Sequence, residues 1–278
     1  MQGLQMRTLR NKTIFITGGT RGIGKAIALR AARDGANIII AAKTDKAHRT
    51  LPGTIFSVAE EIENTGGKAL PVKLDVRNDQ AVIEAASRAA SHFGGLDILI
   101  NNASAIALTK TLDTSLRSFD LMHSVNVRGT FACSQACLPH LLKSDNPHIL
   151  NLSPPLNLDP VWFKDYLAYT MSKYGMSMCV LGMAAEFHSK GVAVNALWPR
   201  TVIDTAAISM LGGVVNTKNC RKPDIMADAA HSILCRDSKT TNGNFFIDED
   251  VLRADGVRDF DSYAVKAGQP LMKDLFLD

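Results

Sequence analysis

Several features are missing from this sequence of 278 residues, and each absence excludes a class of protein. No apolar run is long enough to cross a bilayer, so a membrane protein is not expected. The formal charge of +4 is spread along the chain without a block of Lys or Arg, so nucleic acid is not a predicted partner. Hydrophobic residues make up 46% and charged residues 21%, which is typical of a globular enzyme with a large core.

Cysteine is also scarce, and its placement excludes a disulfide framework. The five cysteines are an odd number at irregular spacing, so we expect a reducing compartment. Cys133 and Cys137 could share a helix face, but no cluster of His or carboxylate completes a site, and we predict no metal. The basic N-terminal segment lacks the apolar core of a secretory signal. We expect a cytoplasmic protein, or a peroxisomal or mitochondrial one in a eukaryote, and a short organellar presequence stays open.

A glycine-rich turn joins the first predicted strand to the first predicted helix. The run TIFIT at 13–17 is a buried-strand pattern, GGTRGIG follows at 18–24, and a helical run comes next. Glycine permits a tight turn and close backbone approach, and the helix N-terminus offers unpaired N–H groups to a pyrophosphate. In this context the turn predicts a dinucleotide site, and a βα turn that happens to be glycine-rich is the alternative.

The rest of the chain alternates strand and helix patterns. Further strands are predicted at 37–43, 69–76, 97–104, 148–153, 192–198 and 242–248. Helices are predicted at 54–64, 79–93, 115–142 and 227–236. Pro154 and Pro155 predict an extended loop, and the helix that carries Tyr169 and Lys173 follows it and runs to about residue 188. We predict one α/β domain over 1–278, a doubly wound Rossmann-type parallel sheet of about seven strands with helices on both faces. Within it, residues 200–223 are predicted to form a substrate lid and residues 249–278 an irregular tail.

Tyr169 and Lys173 stand four residues apart in a helical pattern, which places both side chains on one helix face. An ammonium one turn away favours phenolate and lowers the pKa of the phenol, so the tyrosine can act as general acid or base. Ser153 ends the predicted fifth strand, where its hydroxyl would lie at the carboxyl edge of the sheet. For the Tyr–Lys pair taken alone, a solvated helix face is the alternative interpretation.

Polar residues follow two other predicted strands. Asp75 lies just past the third strand, and Asn101 and Asn102 follow the fourth. The amides are well placed to shape a cofactor crevice, although turn stabilisation alone would also explain them. Asn126 lies inside a predicted helix, where Asn is mildly unfavourable, so we expect a local kink that exposes a backbone carbonyl.

With these elements in order, the chain resembles the short-chain dehydrogenase/reductase family across nearly its whole length. The elements that carry the resemblance are residues 17–24, Asp75, residues 101–104, Asn126, and Ser153 with Tyr169 and Lys173. The segments LNLSPPLNL, AYTMSKYGMSM and VNALWPRT narrow the resemblance to one branch that includes bacterial oxidoreductases.

The resemblance implies a role for each matching residue. Tyr169 would donate or accept the proton on the substrate oxygen, and Lys173 would lower its pKa and hold the nicotinamide ribose. Ser153 would orient the carbonyl or alcohol, and Asn126 would hold a water in a relay toward Lys173. The cofactor-binding positions, besides Tyr169 and Lys173, would be Gly18, Gly19, Thr20, Arg21, Gly22, Ile23, Asp75, Val76, Asn102, Ala103, Ser104, Pro199 and Thr201. The family would also imply a homodimer or homotetramer, paired through outward apolar residues such as Phe131, Met176 and Met183.

The choice of cofactor depends on the residues after the second strand. A fold that prefers NAD commonly places a carboxylate there, and that carboxylate would repel a 2′-phosphate. This chain has Lys43 at that place, and Arg21 in the glycine turn could reach the same phosphate. We therefore predict NADP(H). Asp45 lies two residues farther on and is the alternative partner for the ribose, with Lys43 then a solvated charge.

Three departures from the family pattern concern the substrate. The loop between Ser153 and Tyr169 is longer than usual, Arg200 replaces a glycine after Pro199, and Ser104 replaces the last glycine of an N-N-A-G motif. The predicted function is hydride transfer between NADP(H) and the alcohol or carbonyl of a small or medium apolar substrate. The alternative is a dinucleotide-binding redox sensor or scaffold with little turnover.

Overall fold

A parallel sheet forms the centre of the molecule. The computed structural model describes residues 8–47, 51–209 and 215–277. Within those ranges the sheet has seven strands in the order β3-β2-β1-β4-β5-β6-β7, and every neighbouring pair is parallel. The strands are β1 (Thr13–Thr17), β2 (Asn37–Ala42), β3 (Lys68–Lys73), β4 (Ile98–Asn101), β5 (His148–Asn151), β6 (Ala193–Trp198) and β7 (Phe245–Ile247). This order confirms the predicted doubly wound Rossmann-type fold.

Helices cover both faces of the sheet. They are α1 (Gly22–Ala32), α2 (Ile55–Asn64), α3 (Asp79–Phe93), α4 (Leu116–Met122), α5 (Gly129–Leu141), α6 (Leu167–Glu186), α7 (Ala206–Ser209), α8 (Asp224–Leu234) and α9 (Asp248–Ala254). Successive strand residues point to opposite faces, so Ile14 and Ile16 join a core with α1, α2, α8 and α9. Phe15, between them, joins a second core with α3, α5 and α6.

The long helix predicted from 115 to 142 is interrupted. A π-helical segment, His123–Arg128, lies between α4 and α5 and contains Asn126. The backbone N–H of Gly129 bonds the carbonyl of Ser124, five residues back. The sequence therefore predicted a kink at the right residue, and the structure identifies it as a widened turn, a feature common at functional sites.

The C-terminal part of the chain is more regular than predicted. Residues 249–278 were expected to be irregular, but most of α9 (Asp248–Ala254) lies in this range. This helix forms because three acidic residues suit its first turn and because Val251 and Leu252 pack into the core. The described chain then forms a 3₁₀ turn, Asp261–Tyr263, and returns to the carboxyl edge of the sheet. There Lys273 forms an isolated antiparallel β-bridge with Thr201.

The predicted lid has loop and short-helix character in its described part. It contains α7 and a 3₁₀ turn at Thr217–Asn219, while residues 210–214 lie outside the described residues. A bridge between Ile203 and Arg221 joins its two ends, and the buried Arg221 guanidinium pairs with Glu249. The base of this segment is therefore fixed to α9, and its role as a lid stays a prediction.

Two of the apolar residues expected on the outside of the helices are buried. Phe131 is 53% exposed, as predicted, but Met176 and Met183 are buried. They lie seven residues apart on the face of α6 that packs toward the sheet, together with Val180. The exposed face of α6 carries Met171, Met178 and Leu181 instead.

Two kinds of feature are absent from the described residues. No helix in the described part of the chain combines the length and apolar character that a membrane crossing requires. Within residues 8–47, 51–209 and 215–277, no three His, Cys, Asp or Glu side chains are grouped so that they could hold a metal ion.

Candidate active site

The glycine turn between β1 and α1 is packed directly against the end of β4. Gly18 has a φ of +69°, and a Cβ there would lie 2.9 Å from Asn102 Nδ2. A Cβ on Gly24 would lie only 2.5 Å from the same nitrogen. Both glycines are therefore required by close backbone packing as well as by the turn itself.

Asn102 holds this turn in place. Its Nδ2 donates to the carbonyls of Thr17 at 2.9 Å and Gly18 at 3.1 Å. Thr17 Oγ1 in turn accepts from the backbone N–H groups of Asn102 and Ala103, both at 3.0 Å. Of the two interpretations of the Asn pair, turn stabilisation accounts for every hydrogen bond of this amide, and it shapes the crevice through the backbone it fixes.

The first turn of α1 is suited to an anion. Arg21 occupies the N-cap position without capping the helix by its side chain, and no acidic residue lies in the first turn. The N–H groups at this end are therefore available to a phosphate. The Arg21 guanidinium extends toward the end of β2, where it donates to Thr44 Oγ1 at 3.2 Å and to the Pro52 carbonyl at 3.1 Å.

The charged residues after β2 and β3 are arranged in pairs. Lys43 is exposed, and it precedes Thr44, the residue that accepts a hydrogen bond from Arg21. Asp45 forms an ion pair with Lys73 at 2.8 Å, and this partner lowers the pKa of its carboxyl. Asp75 pairs with Arg77 at 2.6 Å, which likewise lowers its pKa. Both carboxylates thus face cations of their own.

Lys173 is buried at the carboxyl edge of β5. Its Nζ donates to the Leu152 carbonyl at 2.8 Å and lies 5.2 Å from the centre of the Trp198 ring. Burial lowers the pKa of Lys173 to about 7, and the Asp274 carboxylate acts in the opposite direction. Ser153, next to Leu152, is fully buried, and its Oγ has no hydrogen-bond partner in the described structure. An unpaired buried hydroxyl is costly, so it marks a place where a polar ligand group fits.

Tyr169 lies one turn before Lys173 on α6 and is only 6% exposed. Burial raises the pKa of its hydroxyl, and the Asp274 carboxylate raises it further. The sequence pattern predicted a lowered pKa, and the direction here is the opposite. The reason is that apolar rings cover the phenol, including Phe276 with its centre 6.3 Å away, and burial disfavours the charged phenolate.

Asn126 connects three parts of the site. Its Oδ1 accepts from the backbone N–H of Ala105 at 2.7 Å, and its Nδ2 donates to the Ala105 carbonyl at 2.9 Å. Nδ2 also donates to Ser172 Oγ at 2.9 Å, next to Lys173. The widened helical turn is thereby joined to the loop after β4 and to α6. A role in holding a water stays a prediction.

The comparison with known families decides the classification. The sequence model described as short chain dehydrogenase matches residues 12–211, which include every element of the site up to Thr201. The chain belongs to the short-chain dehydrogenase family. This confirms the resemblance predicted from the motifs, and the family consists of oxidoreductases that bind nicotinamide dinucleotides.

Similar proteins agree with this assignment. Hydroxysteroid dehydrogenase-like protein 2 of Danio rerio is 61% identical over 266 residues, which are 96% of this chain and 64% of that protein. The chain therefore spans less than two thirds of the length of the curated relatives it matches. A candidate dehydrogenase from Xanthomonas campestris has 55% identity and a TM-score of 0.95, with 98% of this chain and 99% of that one covered. A short chain dehydrogenase from Mycobacterium thermoresistibile has 49% identity and a TM-score of 0.92, covering 98% and 96%.

The residues of this short-chain dehydrogenase fit a dinucleotide on structural grounds. The turn leaves no room for a side chain at Gly18 or Gly24, and the uncapped N-terminus of α1 lies beside it. Past the end of β6, Pro199 leads to Thr201, whose Oγ1 is buried without a partner among the described residues. The predicted cofactor positions follow parallel strands, so they lie at the same carboxyl edge of the sheet. Among them, Val76 is buried against Gly129, and Ser104 is exposed.

Sequence reasoning missed the C-terminal contribution to the site. Asp274 and Phe276 lie beside Tyr169, and Trp162 and Trp198 complete an aromatic surface around them. The one signal available was the apolar run Leu275 to Leu277 at the end of a polar tail. No periodicity indicated what that run would contact.

Proposed function

We propose that this short-chain dehydrogenase transfers a hydride between NADP(H) and the alcohol or carbonyl of a small or medium apolar substrate. The observation that carries the proposal is the unpaired buried hydroxyl of Ser153 beside the Tyr169–Lys173 face, at the edge where the glycine turn also lies. A polar group that lacks a partner in a dry, apolar site fits a substrate oxygen.

In the reductive direction, a bound nicotinamide supplies the hydride that forms the new C–H bond. Tyr169 gives its hydroxyl proton to the substrate oxygen as the carbonyl π bond breaks, so the product is an alcohol. Ser153 donates a hydrogen bond to the same oxygen and orients it. Lys173, when protonated, stabilises the phenolate that Tyr169 becomes, until solvent returns the proton. The oxidative direction reverses each step.

The preference for the phosphorylated cofactor is supported by charge. Past the end of β2, Arg21 donates to Thr44, and Lys43 precedes that residue in the chain with its side chain exposed. Asp45, the alternative ribose partner, is instead paired with Lys73. A cation at this place favours a 2′-phosphate, whereas a free carboxylate would repel it.

The binding-only alternative also has an observation in its favour, because Tyr169 is covered and its pKa is raised. The decisive experiment is NADPH oxidation against a panel of terpenoid, fatty and steroid carbonyls, run in both directions with NADH in parallel. Steroids belong in the panel because of the names of the relatives. We expect turnover with at least one apolar carbonyl. Tight NADPH binding without turnover on any of them would favour a sensor or scaffold.

We also propose a homodimer or homotetramer. Phe131 on α5 and Met178 and Leu181 on α6 are about half exposed, on helices that could pair under two-fold symmetry. Light scattering at micromolar concentration should show an oligomer, and Leu181→Lys should shift it toward monomer. Leu112→Lys, at an exposed residue on a loop turn, is the control and should leave the mass unchanged. A wild-type protein that is monomeric at this concentration contradicts the proposal.

Location stays a proposal from cysteine usage. We propose the cytoplasm, or a peroxisome or mitochondrion in a eukaryote, and fractionation of the source cells tests it. A protein recovered with secreted material would contradict it.

A further inference from the structure

A third apolar cluster lies outside the two cores of the sheet, at the carboxyl edge around Tyr169. Its buried members are Met122, Ala168, Tyr169, Tyr174, Trp198 and Phe276. Loop residues after β4 and β5 pack around them. The cluster therefore occupies the substrate side of the proposed reaction, and one of its members comes from the C-terminal segment of residues 270–277.

Phe276 lies at the centre of this cluster. The centre of its ring is 5.3 Å from that of Tyr174, 5.8 Å from Trp198, 6.1 Å from Trp162 and 6.3 Å from Tyr169. The ring is nearly inaccessible to solvent. It is surrounded by aromatic faces at the distances that paired rings prefer, so the space it fills has the size and chemistry of a six-membered ring.

The backbone of Phe276 is strained in this position. Its φ of +71° is in the left-handed region, which a bulky side chain rarely adopts. Such strain is characteristic of segments that switch between conformations.

The closed arrangement also leaves polar groups unpaired. Ser153 Oγ, Trp162 Nε1 and Thr201 Oγ1 are all buried without a hydrogen-bond partner in the described structure. Thr201 belongs to the predicted cofactor positions, whereas Trp162 borders the Phe276 ring and Ser153 follows Leu152, whose carbonyl accepts from Lys173. Buried hydroxyl and indole N–H groups are usually paired, so the unpaired Ser153 and Trp162 point to a ligand with a polar group.

The segment is held by hydrogen bonds to the end of β6, to the loop after it and to Asn219, whose carbonyl accepts from the Met272 N–H at 2.9 Å and whose Nδ2 donates to the Pro270 carbonyl. The Leu275 carbonyl accepts from Trp198 Nε1 at 2.9 Å, and the Asp274 N–H donates to the Arg200 carbonyl at 3.1 Å. The Val202 N–H donates to the Met272 carbonyl at 2.9 Å. These hydrogen bonds join the segment to the rim of the sheet, and they can break locally without unfolding either core of the sheet.

We propose that Phe276 is a substrate-selecting gate, whose ring occupies the place of the apolar part of the substrate, so that a carbonyl compound reaches Tyr169 only by displacing it. The inference rests on the proposed function of Tyr169. Compact aromatic ketones fit best, because they replace one ring by another and bring an oxygen to the unpaired hydroxyl of Ser153. The apparent Kd of any substrate is then its intrinsic Kd divided by the fraction of molecules in which the gate is open.

Fluorescence offers a test that does not depend on activity. The chain has two tryptophans, Trp162 and Trp198, and both lie beside the Phe276 ring. Acrylamide quenching of their emission should increase at least twofold in Phe276→Ala, because the rings lose their cover. Met272→Ala is the control, since its exposed side chain lies on the same segment. Equal quenching in Phe276→Ala and wild type overturns the gate.

Kinetics then separates a gate from a fixed wall of the pocket. With acetophenone as substrate, Phe276→Ala should lower KM about tenfold or more and leave kcat within about twofold, because the open fraction no longer limits binding. A raised KM would show that the substrate packs on Phe276 and overturns the gate. Phe276→Leu retains apolar volume without the ring, so its KM should lie between those of the wild type and Phe276→Ala. This variant replaces Phe276→Ala in the test if the alanine variant fails to fold.

The two proposals fail in different ways. If the wild-type protein reduces no carbonyl, the proposed function is wrong, and the quenching arm still decides whether Phe276 covers the site. If carbonyls are reduced but neither quenching nor KM responds to Phe276→Ala, the function stands and the gate is wrong.

Discussion

The two ends of the carboxyl edge are built in different ways. On the cofactor side, the glycine turn, its strand and its helix are contiguous in sequence, and Asn102 fixes them with hydrogen bonds to Thr17 and Gly18. On the substrate side, the aromatic surface around Tyr169 combines residues from α6, the loop after β5, the end of β6 and the C-terminal segment. In the first region the Asn102 amide and the Thr17 hydroxyl are paired, whereas the second retains the unpaired Ser153 hydroxyl and Trp162 indole N–H.

This difference indicates how such a protein can keep its cofactor and vary its substrate. Close backbone packing tolerates few side chains at Gly18 and Gly24, whereas an apolar cluster tolerates many changes of similar volume. Substitutions in the two regions should therefore have separable effects on cofactor binding and turnover.

The largest effect is expected on the substrate side, at Tyr169. Tyr169→Phe removes the hydroxyl that donates the proton, so turnover should fall on the order of a hundredfold or more. NADPH affinity, measured by titration of its fluorescence, should remain close to the wild-type value. Near-normal activity would show that another group transfers the proton.

A loss of charge at Lys43 should affect one cofactor only. A charge-assisted phosphate contact is worth about 1.5 to 3 kcal/mol, so Lys43→Ala should weaken NADPH binding roughly tenfold or more. NADH binding should be nearly unchanged. Lys68→Ala is the control, because Lys68 is the first residue of β3 and lies at the amino edge of the sheet, away from the carboxyl edge. Equal losses for both cofactors would place Lys43 away from the 2′-phosphate and return the choice to Asp45.

A change at Gly24 should weaken both cofactors together. Its new methyl group would meet Asn102 Nδ2 at 2.5 Å, and overpacking of this kind costs about 1 to 3 kcal/mol. Gly24→Ala should therefore lower the melting temperature and the affinities for NADPH and NADH alike. Gly95→Ala, where nothing lies within 4 Å, should change neither. Unchanged cofactor binding in Gly24→Ala would mean that the cradle is more adaptable than its packing indicates.

The smallest effect is expected in the pH dependence of stability. Asp248 is fully buried, its Oδ1 accepts from the Arg200 N–H at 2.8 Å, and burial raises its pKa from 3.8 to about 6. At Asp248 the native state thus binds more protons than the unfolded state between pH 4 and 6, so the contribution of this residue to the free energy of unfolding falls as pH rises through that window. The total is about 1 to 3 kcal/mol, at about 1.4 kcal/mol per pH unit.

Asp248→Asn should remove this contribution, because the amide does not ionise and its oxygen can still accept from Arg200. Asp274, whose pKa burial raises to about 7, and His148, whose pKa burial lowers to about 4, titrate in the variant and the wild type alike, so the difference between the two proteins isolates Asp248. Urea unfolding at several pH values from 4 to 7 measures it. Asp250→Asn, at an exposed partner of Arg200, is the control. A difference in unfolding free energy between wild type and Asp248→Asn that stays constant from pH 4 to 6 would contradict the assignment to Asp248.

Much of the fold was predictable because its signals are local. Buried strands without alternation, glycine at the βα turn and the cap at Thr54 each act within a few residues. Alternation of such strands and helices then leaves few topologies, and the observed sheet is the expected one. The Tyr169–Lys173 spacing follows from helix geometry alone. The exposed face of α6 was harder, because an apolar residue such as Met176 can point to the sheet or to solvent.

By itself, the sequence determined the family, the succession of strands and helices along the chain and the edge at which the site residues meet, because these depend on short-range patterns. Only the tertiary structure decided that Asn102 supports the turn, that Asp45 and Asp75 have cationic partners, and which way the pKa of Tyr169 moves. The path of the C-terminal segment depended on it as well. These features arise from contacts between residues far apart in the chain, and burial, which sets the pKa of Tyr169 and the place of Phe276, exists only once those residues are packed.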